Sequence, residues 1–259
     1  MSVELYHELD GPQDAPVVLL GGSLGSSVRV WDPQVPALAR RLRVVRFDHR
    51  GHGRSPTPPG PYEIADLAQD VLALMDRLGV QRAHYCGLSI GAMVGMWLGA
   101  NAPGRVDRLV LMCTSAHMPP ASMWAQRAAA VLAAGTPEAV ADPIVDRWLT
   151  PAYAAAHPKE RLRLRDMLVA NPPDGDAACC GAIERMDLRR DLARIAAPTL
   201  VISGAGDPAT APEHQALIAD SIAGARHELV AGAAHLASVE QPQIVTQLIL
   251  DHLEAAPDG

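Results

Sequence analysis

Two hydrophobic rhythms alternate along the chain. Short apolar runs end in turn residues: Val17-Val18-Leu19-Leu20 runs into Gly21-Gly22, and Val44-Val45-Arg46-Phe47 runs into Asp48. Runs of this length read as buried strands. Between them the period changes. Ile64, Leu67, Val71, Leu74 and Leu78 are spaced 3, 4, 3, 4, one apolar stripe of a helix from Glu63 to Leu78 that Gly79 stops. The alternation continues with a strand over Ala83 to Leu88, a helix over Ile90 to Ala100 and a strand over Leu109 to Met112. After a gap it resumes with a strand over Thr199 to Ile202, a last strand over Glu228 to Val230 and an amphipathic helix from Pro242 to Leu253. Strand and helix in turn predict an α/β architecture, a mostly parallel sheet covered by helices on both faces.

The gap does not share this rhythm. From about Pro119 to Arg194 the chain is rich in Ala and Arg, shows helical spacing over Trp124 to Ala134 and Lys159 to Ala170, and offers no clear strand. The expectation is a core formed by residues 1–118 and 195–259, with 119–194 inserted as a helical cap above the C-terminal edge of the sheet. Ligands of open α/β sheets bind at that edge. The plainer alternative is a helical decoration that touches no substrate.

Composition narrows the picture. Hydrophobic residues make up 49% of the 259, enough for a sizeable core, but aromatics only 3%, so the core is to be built from aliphatic side chains and methionine. The net charge of −7 and the absence of a basic stripe speak against nucleic acid. Lys159 is the only lysine, and nearly all positive charge is arginine. Cys86 and Cys113 sit in apolar runs, Cys179 and Cys180 are adjacent, and no CxxC spacing suggests zinc. A zinc site is therefore not expected. Met1 to Pro16 is polar and acidic and has no secretory pattern. No apolar run approaches the ~18 residues of a membrane span. The expected location is the cytoplasm, with no membrane partner.

The chemistry begins at Gly87-Leu88-Ser89-Ile90-Gly91, a G-x-S-x-G pattern between a predicted strand and a predicted helix. A chain that turns this sharply strains the serine backbone, and the flanking glycines relieve crowding. The alternative is a tight turn with a chance serine. A nucleophilic hydroxyl needs a base. Of ten histidines, His235 lies in a small-residue loop, Ala231-Gly232-Ala233-Ala234-His235, after the last strand. His49 and His52 occupy a glycine-rich turn whose spacing suits neither metal nor phosphate and reads as a structural loop near the site. His117, His157, His214 and His227 read as helix or surface residues. The acid that orients the base should follow a strand between serine and histidine, and Asp207 does. The expected triad is Ser89, Asp207 and His235, with the imidazole within hydrogen-bonding reach of the hydroxyl. Oxyanion donors are expected at the amide of Ile90 and, counting back from Trp31, at the amide of Leu24 in Gly22-Ser23-Leu24-Gly25. Ser23 is a candidate substrate contact.

With these residues assembled, the chain resembles the 3-oxoadipate enol-lactonases, α/β-hydrolases of the β-ketoadipate pathway. The segments that carry the resemblance are Gly22-Ser23-Leu24-Gly25 with Trp31-Asp32, the turn Asp48-His49-Arg50-Gly51-His52-Gly53-Arg54-Ser55, Cys86 to Pro103, and Gly232 to His235. The turn is common to many α/β-hydrolases; Gly-Leu-Ser-Ile-Gly followed by Trp-Leu-Gly-Ala-Asn-Ala-Pro is more specific. The sequence departs from the family at Ala92, where a second glycine is frequent, and at Gly22, where relatives often carry Asn or His, a change expected to loosen the oxyanion loop. In some relatives a decarboxylase domain follows; the sequence ends at Gly259. The resemblance implies a small-molecule lactone or ester as partner, opened without cofactor through an acyl-enzyme. Such a lactone carries a free carboxylate, for which Arg127, near Trp124 as a pocket wall, is the first candidate; a solvent-facing arginine is the plainer reading. A general carboxylesterase, a cofactor-free peroxidase-like hydrolase and a non-catalytic ligand receptor are the alternatives.

Overall fold

The computed structural model describes residues 2–255. Met1 and residues 256–259, the outer limits of the two expected core segments, lie outside the described residues. Seven strands form one sheet: β1 (His7–Asp10), β2 (Val17–Gly21), β3 (Arg43–Phe47), β4 (Ala83–Leu88), β5 (Val106–Met112), β6 (Thr199–Gly204) and β7 (Arg226–Val230). The helices are α1 (Val35–Leu38), α2 (Ile64–Arg77), α3 (Ile90–Asn101), α4 (Ala121–Ala134), α5 (Glu138–Trp148), α6 (Pro151–Ala156), α7 (Pro158–Val169), α8 (Pro173–Arg185), α9 (Pro212–Ser221), α10 (Ala237–Glu240) and α11 (Pro242–Leu253). The strand order is β1-β3-β2-β4-β5-β6-β7, with β1 antiparallel to β3 and all other pairs parallel.

Strand β1 was not expected, because His7-Glu8-Leu9-Asp10 has no apolar run. Electrostatics hold it instead. Arg46 of the neighbouring β3 is buried and pairs with Glu8 at 2.8 Å, Asp10 at 3.0 Å and Asp32 at 2.7 Å. Strands β5 and β7 each begin earlier than their continuous apolar runs suggest, since Asp107-Arg108 and Arg226-His227 interrupt or precede those runs with polar residues.

Alternate side chains of the central strands feed two cores. Leu19, Val45, Tyr85, Leu109 and Val201 face α2 and α3, where they meet Leu67, Val71, Leu74 and Met96. Leu20, Val44, Cys86, Val110 and Leu200 face the other way, onto Leu38 of α1 and Val245 and Ile249 of α11. A strand buried on both faces has no polar alternation, which is why these runs were continuous. Helix α2 starts where the Asp66 carboxylate accepts the Glu63 amide at 2.9 Å, and ends at Gly79, whose φ of 68° is a left-handed stop.

Helices α4 to α8 lie between β5 and β6, in the stretch without apolar strand signals. The two ends of this segment meet in a bridge between His117 and Asp187, beside a hydrogen bond from the Leu188 amide to the Ala116 carbonyl at 2.8 Å. The segment also touches the rest of the chain by backbone: a Cβ on Gly51 would stand 2.6 Å from the Gly175 Cα, so the loop after β3 and helix α8 meet where neither has a side chain.

Candidate active site

Three loops after parallel strands bring Ser89, Asp207 and His235 to one rim of the sheet. Ser89 stands between β4 and α3 with φ 56° and ψ −116°, a strained conformation for a residue with a Cβ. The glycines that flank it are required by contact. A Cβ on Gly87 would collide with the backbone of Gly91, and one on Gly91 with the carbonyl of Gly21. The Ser89 carbonyl accepts from the Thr114 hydroxyl at 2.9 Å, and its amide donates to the Met112 carbonyl at 2.9 Å, which ties the turn to the end of β5. Cys113, next to it, is the other residue besides glycine with positive φ among those described, at 44°; nothing in its spacing signalled this.

Asp207 follows β6. Its Oδ2 lies 2.9 Å from His235 Nδ1 and accepts the Thr210 hydroxyl at 2.8 Å, while Oδ1 accepts the amides of Ala209 at 2.8 Å and Thr210 at 3.0 Å. Burial alone would raise the carboxyl pKa, but the imidazole beside it and these donors outweigh burial and hold it below the ordinary value. The acid is thus kept as a carboxylate. His235 is buried, and its loop crosses close over Gly204, where a Cβ would collide with the Ala234 carbonyl. Glu240 steadies the loop by accepting the Ala234 amide at 2.5 Å and the Thr150 amide at 2.9 Å.

Ser89 and His235 line one cleft, together with Ser23, Leu24, Met93, Trp124, Arg127, Ile144, Arg147, Trp148 and Thr210; its empty volume, mouth included, is about 640 Å³. The expected bond from hydroxyl to imidazole is absent among the described residues: the two groups face one cleft without a direct hydrogen bond. Catalytic hydrogen bonds of this kind commonly tighten only around substrate.

The remaining expected residues fall as follows. Ser23 and Leu24 line the cleft. The Ile90 side chain is in the core and its amide opens α3 beside Ser89. Trp124 is a cleft wall, its indole donating to the Met118 carbonyl at 3.1 Å. Arg127 faces the cleft and not the solvent, with its side chain 12% exposed, but it is already paired with the fully buried Asp176 at 2.6 Å. Arg147 was missed. It lies on α5 with Ile144 and Trp148, three positions before and one after, and these three share the cleft. Among the described residues no carboxylate pairs with Arg147. Arg147 is exposed at the mouth of the cleft; its pKa is lowered, first by partial desolvation and then by the charge of Arg127, while the Asp207 carboxylate pulls it back up.

The turn Asp48 to Ser55 is a structural staple. Asp48 accepts the amides of Val28 at 2.6 Å and Arg54 at 2.8 Å, Ser55 donates to the Asp48 carbonyl at 2.6 Å, and Arg50 pairs with Asp70 of α2. His49 is buried, its pKa pushed down to about 3 by burial and then by His52. Among the described residues no group of three or more His, Cys, Asp or Glu is arranged to hold a metal, and no helix is long and apolar enough to cross a membrane. All four cysteines are free and buried. His227 lies exposed at the surface on β7, with the Ser203 hydroxyl 2.6 Å from Nε2.

The family model of the α/β hydrolase fold matches residues 15–242. The chain belongs to the α/β-hydrolase family. Within the hydrolases, it is 36% identical to 3-oxoadipate enol-lactonase 2 of Acinetobacter baylyi over 242 residues, 93% of this chain and 90% of that one. It is 34% identical over 260 residues to a protein of Variovorax paradoxus that carries the name carbamate hydrolase RutD, 96% of this chain and 96% of that one. The crystal structure of the enol-lactonase from Burkholderia xenovorans LB400 superposes with a TM-score of 0.95 at 38% identity, covering 97% of this chain and 96% of that one. These hydrolases share the fold over nearly their whole length.

Proposed function

We propose that this hydrolase opens 3-oxoadipate enol-lactone to 3-oxoadipate through an acyl-enzyme on Ser89. The observation that carries the reading is the composition of the cleft: a strained serine and a carboxylate-held imidazole share it with Arg147, a cation without a carboxylate partner. A cation at the mouth of the cleft would hold the free carboxylate of such a lactone, a contact that a neutral ester does not make. Similarity to enol-lactonases supports the same substrate.

In this reading His235 takes the Ser89 proton as Oγ attacks the lactone carbonyl. The negative oxygen of the tetrahedral intermediate is held by the amides of Leu24 and Ile90, each worth on the order of 3 kcal/mol in such sites. The ring C–O bond breaks, His235 returns the proton to the departing enol oxygen, and the enol tautomerises to the ketone. Water then attacks the acyl-enzyme carbonyl, gives its proton to His235, and Ser89 is regenerated with the free acid. Asp207 fixes the imidazole tautomer and stabilises the imidazolium. Helices α4 to α8 serve as the cap, supplying Trp124, Ile144, Arg147 and Trp148 as walls.

The test is turnover of the enol-lactone, followed by its loss of absorbance, beside a panel of p-nitrophenyl esters and a simple carbamate. The expected result is preference for the lactone. Fast ester or carbamate cleavage with no lactone turnover would refute the substrate and leave a serine hydrolase.

A further inference from the structure

The loop after β2 contains Leu24, and three consecutive peptide units around that residue are each pinned from outside. The first unit joins Ser23 to Leu24. Its carbonyl accepts both the amide of Ser26 at 3.0 Å and the hydroxyl of Ser26 at 2.8 Å. The second joins Leu24 to Gly25, and its N–H donates to His52 Nε2 at 2.9 Å. The third joins Gly25 to Ser26, and its carbonyl accepts from Asn171 Nδ2 at 2.8 Å. A trans peptide is planar, with N–H and C=O on opposite sides, so a carbonyl held in place also aims the amide of the same unit. The Leu24 N–H is therefore directed by Ser26, and the units that follow are prevented from rotating.

The three side chains come from three parts of the fold. Ser26 is in the loop itself, and its hydroxyl lies 2.5 Å from where a Cβ on Gly22 would stand. It fills the space that a larger residue at position 22 would take, so the expectation that Gly22 loosens this loop is not met. His52 is fully buried in the turn after β3. Its Nδ1 lies 3.2 Å from the Arg50 carbonyl and carries the proton, which leaves Nε2 as the acceptor that Gly25 needs. Burial lowers its pKa, which keeps it in that neutral form. Asn171 follows α7 and spans two loops, since its Oδ1 also accepts the Gly53 amide at 2.9 Å.

We infer that Ser26, His52 and Asn171 are positioning residues that fix the direction of the Leu24 amide, and that through Asn171 the helical segment completes the oxyanion site as well as lining the cleft. The inference rests on the reading of Leu24 as an oxyanion donor. A residue that only stabilised the fold would lower Tm and leave the chemistry of correctly folded molecules unchanged. A positioning residue lowers kcat while KM stays the same, because its effect is felt where charge develops on oxygen.

The experiment compares Ser26→Ala, Asn171→Ala, His52→Leu and His52→Gln with the parent enzyme and with Ser89→Ala, measuring kcat and KM separately and the rate of serine labelling by a fluorophosphonate. The expected result is a fall in kcat and in labelling rate on the order of 10- to 100-fold for Ser26→Ala, Asn171→Ala and His52→Leu, with KM changed less than about threefold. His52→Gln, whose Oε1 can accept in place of Nε2, recovers most of the loss. Should Asn171→Ala fail to fold, the contrast between the two His52 variants carries the test unaided. Parent-like kcat and labelling in Ser26→Ala and His52→Leu, while Ser89→Ala is inactive, would overturn the inference alone. Labelling and turnover that survive in Ser89→Ala would instead overturn the hydrolase reading beneath it.

Discussion

At the sheet rim, positions are set by backbone clearance. Gly87, Gly91 and Gly204 have no room for a Cβ, because the Ser89 turn lies against the end of β2 and the His235 loop lies against the end of β6. In the helical segment 119–194 positions are set by side chains finding partners: Arg127 with Asp176, Asn171 with Gly25 and Gly53, Thr150 with Glu240. The first kind of constraint is local and tolerates few residue types. The second can be met by many pairs of residue types. In the proposed reading the rim carries the nucleophile, base and acid, and the segment supplies the cleft walls and, through Asn171, a support for the oxyanion loop.

Mutations that separate these two roles should differ in what they change. The largest effect is expected for Ser89→Ala, which removes the nucleophile and should lower kcat/KM by at least ~10⁴-fold against lactone and ester alike, with little change in Tm. Arg127→Met comes next, as a stability effect. It leaves Asp176 buried and unpaired, a cost of about 3–5 kcal/mol measurable by denaturant unfolding. Adding Asp176→Leu should recover part of that loss, since it removes the orphaned charge. Arg147→Met, which breaks no ion pair, should leave stability unchanged. It should raise KM for the anionic lactone about 10- to 100-fold, and leave a neutral p-nitrophenyl ester unaffected. A uniform loss on both substrates would place Arg147 with the reaction chemistry and erase the contrast.

The smallest effect concerns Thr210, which donates to Asp207 at the rim. A carboxyl held below its ordinary pKa adds stability that is present above ~pH 4 and is lost as the pH falls through the folded value. Thr210→Val removes one donor and raises that folded value. The variant should be less stable by about 1 kcal/mol at pH 7, and the gap should narrow towards pH 3, as followed by urea unfolding at several pH values.

This contrast also explains what could be read from the chain alone. The parallel strands, α2, α3 and α11 were legible because continuous apolar runs and a 3-4 stripe follow from burial on two faces or one. Ser89, Asp207 and His235 were legible because each follows a strand in the required order, and the glycines around Ser89 have a steric reason. Strand β1 was not, because Arg46 and its three carboxylates do the work that apolar residues do elsewhere. Arg147 was not, because a guanidinium on a helix looks the same whether it faces water or a cleft, and only the fold of α5 puts it beside Trp148. Arg127 was placed at the cleft, but its partner Asp176 lies 49 positions away with no pattern to link them. The roles of His52 and Asn171 lie in hydrogen bonds across 27 and 146 positions, which no local spacing encodes.

The central claim is that the imidazole at 235 activates the hydroxyl at 89 even though the two groups share the cleft without a direct bond. Intact-protein mass spectrometry of fluorophosphonate labelling, with peptide mapping, tests it. The account predicts one adduct, on Ser89, formed on the order of 10³-fold more slowly in His235→Ala. An adduct on another residue, or labelling of Ser89 in His235→Ala at the parent rate, would contradict it.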